Sequence, residues 1–441
     1  MLEEVVVYDT HAILLRPRPF AKASGRLILL PLLPRKAVTK PLPSEIWAKI
    51  LGYVFADYQR PSSSGKAVGS KLNLLLVCKS LKDVALPLYY EDIHLDDPAH
   101  LEQFTELLRV ADRRWDSIRR IPYSAPGRWV HSLDLSDLRC NLWSEVCLVD
   151  TLLTRLVPLL PFLAHLVLNS TIAVSRRLVD SICSRDGIGR LLSLKGIKLA
   201  SSVDLTSEDT FLEVLRCSQN LEELEIYGSG VEPLLTDIPG ASVDFDFSAK
   251  PLRLPRLRKL AAISMHCSPV MFFLLHSSLP MLTHLTITPY DDVSVPSSLV
   301  PRFIERHGAE LASLHLYAPK AWPTMLFPSP TTLLYTCPKL NHLSLENPLP
   351  TLTICSIYPK HPLKILSIPR PEAGFLRVLE SLLPKLPALK VVRARDVRWL
   401  RAGMSSHAHV AGVQGEMRDW RQRLARRGVT VVDTAWMPQG G

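Results

Sequence analysis

The chain has 441 residues, with 52 lysines and arginines against 42 aspartates and glutamates, a formal net charge of +10. Apolar residues make up 47% and charged residues 21%, a globular balance that excludes a mainly disordered chain. No run reaches the roughly 18 consecutive apolar residues that span a bilayer, and the length suits two to three domains or one long repeat array with a small module attached.

Residues 1–40 carry Arg16, Arg18, Lys22, Arg26, Arg35, Lys36 and Lys40 against Glu3, Glu4 and Asp9, and are expected to form a basic, disordered leader. The opening Met1-Leu2-Glu3-Glu4 is acidic where a secretory signal would be basic, so export is not expected. Residues 41–95 have a different texture. Leu42-Pro43-Ser44-Glu45-Ile46-Trp47 opens a helix, with a proline at its start and a glutamate in its first turn. Ile46, Ile50 and Val54 continue as an apolar stripe at helical spacing, with Leu51 beside it. A polar insert at 56–71 precedes a second apolar block, Leu74 to Leu81, which leads into Ala85-Leu86-Pro87-Leu88-Tyr89-Tyr90. An all-α module of about 50 residues is too small to be very stable alone and calls for a partner. Residues 96–128 read as a linker.

From residue 129 to 435 the pattern L-x-x-L-x-L recurs. Its middle apolar residue falls at Leu133, Leu166, Ile197, Leu224, Leu260, Leu285, Leu314, Leu343, Leu366 and Val392. The steps are 33, 31, 27, 36, 25, 29, 29, 23 and 26 residues, the length of one short strand plus a returning helix. Prolines number 36, about 8% against a norm of ~5%. Pro161, Pro255, Pro280, Pro338 and Pro387 each stand two residues before a unit's first leucine, where they stop the preceding helix. The chain ends in a capping unit: Met417, Trp420 and Leu424 share a helix face, Gly428 stops that helix, and 429–432 form a last strand. Arg418, Arg421, Arg423, Arg426 and Arg427 supply the polar outer surface that keeps an array end soluble.

These units resemble the irregular leucine-rich repeats of intracellular proteins. The front module resembles the F-box, in its L-P-x-E-I-W opening, V-C-K-S block and A-x-P-L-Y-Y close, and most of all the fungal F-box proteins with C-terminal leucine-rich repeats. Leu81 stands where that family often has tryptophan, and the insert at 56–71 lengthens the first loop. The fold implied is an α/β leucine-rich-repeat solenoid preceded by a small all-α F-box-like module. The function implied is that of a substrate-recognition subunit of an SCF-type cullin–RING ubiquitin ligase in the cytoplasm or nucleus. By the same resemblance Leu42, Pro43, Ile46, Ile50, Leu51, Val77 and Cys78 would bear on the Skp-type adaptor, and the repeats would hold a protein target. A ligase-independent repeat scaffold is the alternative.

Strand alternation places the residues between the inward leucines on a concave sheet face. Glu223, Glu225, Tyr227, His284, His315, Tyr317, His342, Arg393 and Arg395 are the candidate target contacts there. Tyr227 and Tyr317 are the expected hot spots, with acidic character in the first half and basic character at the far end. His165, His284 and His342 share one repeat position. Units two apart are ~10 Å apart laterally, too wide for one metal, so a polar surface is the reading and no metal or other cofactor is expected. The basic ends lack interleaved aromatic platforms, so nucleic acid is not expected as a partner. Eight cysteines without a C-x-x-C pair suit free thiols in a reducing compartment. Phosphate-loop, nucleophile-elbow and H-E-x-x-H signatures are all absent from the sequence, so catalysis is not expected.

Overall fold

The computed structural model describes residues 42–59, 73–113, 125–199, 206–228, 252–265, 268–289, 298–319, 329–354, 360–399 and 412–438. The basic leader, most of the insert and the repeat boundaries at 229–251 lie outside these. The chain divides into two compact units, Met1–Leu88 and Tyr89–Gly441.

In the first unit the helix Ser44–Gln59 starts where Pro43 offers its carbonyl to the amides of Ile46 and Trp47, at 3.1 and 3.2 Å. Leu51 and Phe55, one turn apart, are buried, as is Ala85 in the middle of the helix Lys79–Glu91.

The second unit is one open, all-parallel sheet. Its strands are β1 (Asp92–His94), β2 (Ser132–Asp134), β3 (His165–Val167), β4 (Ala173–Val174), β5 (Ser193–Leu199), β6 (Glu223–Tyr227) and β7 (Lys259–Ile263). They continue through β8 (His284–Ile287), β9 (Ser313–Leu316), β10 (His342–Ser344), β11 (Ile365–Ile368), β12 (Val391–Ala394) and β13 (Thr430–Val432). They pair in sequence order, except that β4 adds to the side of β5. A parallel ladder needs a crossover between every pair of strands, and that requirement explains unit lengths near 30 residues. Leu133, Leu166, Leu194, Leu224, Leu260, Leu285, Leu314, Leu343, Leu366, Val392 and Val431 stand in one register row. All are at most 2% exposed. Burying such a side chain is worth ~1.5–3 kcal/mol, so this row and the helix residues packed on it are the main apolar stabilisation of the array.

The prolines have a more specific task than stopping helices. In these five units the first leucine donates its amide to the carbonyl three residues back: Leu163 to Leu160, Leu257 to Leu254, Leu282 to Leu279, Leu340 to Cys337 and Leu389 to Leu386, all at 3.1–3.3 Å. Each proline is therefore the second residue of a tight turn, where its fixed φ is already correct.

Three expectations change. The third unit aligns through Leu194, not Ile197, so the second and third steps are 28 and 30 residues rather than 31 and 27. β5 spends three residues between Leu194 and Ile197 where β6 spends two between Leu224 and Ile226, a bulge that moved the apparent centre of the unit. Gly196 makes this possible: its φ is +71°, and a Cβ there would lie 1.9 Å from the Leu168 carbonyl oxygen. Second, the linker expected at 96–128 contains the helix Pro98–Arg113, which buries Leu101, Phe104 and Leu108 in the repeat core and packs on the next helix, Trp143–Leu156. Residues 114–124 lie outside those described. Third, the front module ends sooner than residue 95. Tyr90 stacks on Phe104 with ring centroids 6.4 Å apart, and Ile93 pairs with Leu133, so both belong to the sheet unit. At the far end Met417, Trp420 and Leu424 are buried as a cap, and Gly428, at φ +74°, follows the helix Gly412–Ala425 and leads into β13.

Candidate functional site

The helix Ser44–Gln59 shows water an apolar face. Leu42, Ile46 and Ile50 are 48%, 41% and 39% exposed, and Trp47 and Tyr53 are exposed alongside. Leu76 and Val77 are more exposed still, and Pro43 and Cys78 are exposed too. Leu51 is the exception among the residues assigned to adaptor contact. At 3% exposure it belongs to the interior of its unit, because it lies five residues on from Ile46 and a full stripe around the helix from Ile50.

On the sheet, the face opposite the leucine row carries two register rows. One runs His165–Ser193–Glu223–Lys259–His284–Ser313–His342, the other Glu225–Ala261–Thr286–His315–Ser344–Ser367–Arg393. The candidate residues therefore do share this face, but they are bound to one another more than the pattern implies. Glu223 forms ion pairs with Lys195 and, at 2.6 Å, Lys259. Burial opposes its ionisation, yet the two lysines prevail and hold its pKa down at about 2. Of the acidic residues expected in the first half, Glu223 is thus neutralised by its own neighbours. Glu225 accepts a 2.7 Å hydrogen bond from the Tyr227 hydroxyl; burial and this carboxylate keep the phenol above its ordinary pKa. Tyr227 is half-buried and committed, whereas Tyr317 is 41% exposed.

The β8–β12 end is the densest part. His315 Nε2 lies 3.1 Å from His342 Nδ1, and His342 Nε2 lies 2.9 Å from the hydroxyl of buried Ser367. Burial first, then His315, Arg393, Arg395 and His284, push His342 down to about 4. Burial, Arg395, His284 and Arg393 lower His315. Burial and Lys259 lower His284, against the opposing pull of Glu223. Arg395 donates Nη2 to the Leu345 carbonyl at 2.7 Å and to Glu346 at 2.9 Å. Arg393 donates Nη2 to the Thr434 carbonyl at 2.7 Å and lies 4.4 Å from the ring centroid of Trp436. Trp436 belongs to a hook after β13, organised by buried Asp433, whose carboxylate accepts from the amides of Trp399, Ala435 and Met437.

Sequence pattern alone did not single out Trp436, Ser367 or Lys195. The usable signal for Trp436 was an aspartate directly after the last strand, a residue that folds the following backbone onto itself. The paired imidazole nitrogens could in principle share a metal, but two arginines beside them disfavour a cation, and no cluster of three metal-ligating groups occurs among the described residues. The described cysteines are free thiols. No helix among the described residues is long and apolar enough to cross a membrane.

No protein-family model matches the sequence, and no curated protein matches it. Among solved structures the chain is similar to a protein from Bacteroides fragilis, at 12% identity over 74% of this chain and 72% of that one, with a TM-score of 0.32.

Proposed function

We propose that the chain is the substrate-recognition subunit of an SCF-type cullin–RING ubiquitin ligase. The front module would dock as an F-box on the Skp-type adaptor, and an irregular leucine-rich-repeat array would hold a protein target. The observation that carries this reading is the exposed apolar face of Leu42, Ile46, Trp47 and Ile50, with Leu76 and Val77. Several large apolar side chains exposed along one helix, with two more at a later turn of the same module, are a feature of interaction sites rather than of an ordinary solvated helix. Pro43 and Cys78 are exposed with them. Leu51 would support the face from within instead of touching the partner.

The mechanism is tethering. Holding the adaptor at one site and the target at another raises the target's effective concentration near the ubiquitin-conjugating enzyme, with no catalytic group required of this chain. The second half rests on the open sheet face, where Tyr317, His284, His315, His342, Arg393 and Arg395 remain the candidate contacts. The test is co-purification of the full chain with a Skp-type adaptor. The wild type should retain the adaptor, and Ile46→Asp, a change at an exposed position, should reduce its capture at least tenfold by placing a charge in an apolar contact. Equal capture by both proteins refutes the docking face. No capture by the wild type leaves the ligase-independent scaffold.

A further inference from the structure

The β9–β12 end of the open face gathers basic groups from successive strands without matching acids. Arg393 makes no ion pair among the described residues: Asp433, the carboxylate that acts on it, is occupied by three backbone amides of the hook. Arg395 shares one carboxylate, Glu346, and has its remaining hydrogen bond to a main-chain carbonyl. Beside them stand the linked His315–His342 pair and, one strand further, exposed His284. Ser344 and Ser367 lie between His315 and Arg393 on their register row, so short side chains form a low floor between long ones.

Trp436 adds an independent observation. Its φ is +62°, a conformation that a bulky residue rarely adopts and that is most often found where structure around it imposes a role. The imposed position sets an exposed indole over Arg393 and 6.4 Å from the His342 ring.

We propose that this corner is an anion subsite that takes a phosphate or a pair of carboxylates presented by a protein target, bound by Arg393, Arg395 and the His315–His342 pair with Trp436 as its wall. The proposal rests on the reading of the open face as the target surface and names the chemistry of that target. A guanidinium is a strong charge-assisted donor to oxyanions, and the Nε groups of Arg393 and Arg395, although buried, have no hydrogen-bond partner among the described residues. The groups facing the imidazole pair are His284, Arg393 and Arg395, with Glu346 on Arg395 and Asp433 near Arg393. Burial first, and then the two arginines and His284, lower both imidazoles and favour their neutral forms. An anion reverses that balance, so binding takes up protons and strengthens as pH falls toward the free His342 value of about 4, provided the ligand itself stays ionised.

The full chain should be titrated with three labelled peptides of neutral sequence: one with a single phosphoserine, one with serine, and one with two adjacent glutamates. Binding is read by fluorescence anisotropy at near-physiological salt. The phosphoserine or the diglutamate peptide should bind at least tenfold more tightly than the serine peptide, and which one does so identifies the source of the anion. Arg393→Gln should abolish the preference, and Arg393→Lys, which keeps the charge but loses the planar guanidinium, should retain only part of it, with circular dichroism confirming that both fold. Imidazole signals in a proton–carbon spectrum should show His342 titrating at higher pH with the anion bound. Three peptides that bind alike, or not at all, overturn the anion subsite. If a target is still captured by the wild type but not by Tyr317→Ala, the receptor reading stands without it.

Discussion

Gly196 and Gly428 both sit at positive φ, +71° and +74°, but only one of them is crowded. A Cβ at Gly428 would meet nothing within 4 Å, so Gly428→Ala pays only the left-handed backbone penalty, about 1–2 kcal/mol. A Cβ at Gly196 would lie 1.9 Å from the Leu168 carbonyl oxygen and 2.8 Å from its carbon. Ordinary contact is about 3.5 Å, so the β3 end of the sheet and the β5 bulge must separate by more than about 1 Å. The adjoining hydrogen bond, from Leu168 N to Lys195 O at 2.9 Å, would be stretched or lost. Leaving buried backbone groups unpaired adds about 1–3 kcal/mol, so Gly196→Ala should destabilise by about 2–5 kcal/mol in total. Urea unfolding followed by far-ultraviolet circular dichroism measures both variants. The midpoint for Gly196→Ala should fall well below that for Gly428→Ala, and amide exchange should accelerate around β3, β5 and β6 only in the former. Equal midpoints would refute the bulge geometry, and with it the alignment of the third unit through Leu194.

Three further outcomes follow from the packing and the charges. Glu223 has a folded pKa below its unfolded value, so its contribution to stability is complete above the unfolded value near 4.3 and is lost as pH falls toward about 2. Glu223→Gln should remove that pH-dependent part, roughly 1–2 kcal/mol after allowance for lysines that remain well solvated, measured as the difference in urea stability between pH 5.5 and 2.5. Trp420 is buried against Phe375 with ring centroids 6.3 Å apart, and its indole nitrogen has no hydrogen-bond partner among the described residues. Trp420→Ala should therefore cost about 3–5 kcal/mol in thermal or urea unfolding, and Trp420→Phe much less. Tyr317→Ala should leave the unfolding midpoint within about 0.5 kcal/mol of wild type and lower target capture, whereas Tyr227→Ala should also cost stability, because Tyr227 is already bonded to Glu225.

What the sequence determined by itself was the order of the array: strand, crossover, strand, with five of the ten units opened by a leucine after a proline and the units closed on an apolar residue that faces inward. That much is local. Period-two alternation and a proline-led turn need nothing beyond a dozen neighbouring residues, which is why Leu224, Leu285 and Leu343 could be placed without a structure. The bulge at Gly196 could not, because its cause is the Leu168 carbonyl nearly thirty residues away. The helix Pro98–Arg113 was passed over as a linker because its apolar stripe of Leu101, Phe104 and Leu108 has meaning only once Tyr90 and the neighbouring helix stand ready to cover it. Charge was the least legible property. Alternation sets Glu223, Arg393 and Arg395 on the open face, but whether a charge on that face is offered to a partner depends on what lies one strand away. Lys195 and Lys259 close around Glu223, and Glu346 and the Thr434 carbonyl take part of each arginine. Alternation fixes the face on which a side chain stands; the parallel register, set by crossovers of unequal length, decides its neighbours, and those neighbours set how much of its charge is left for a ligand.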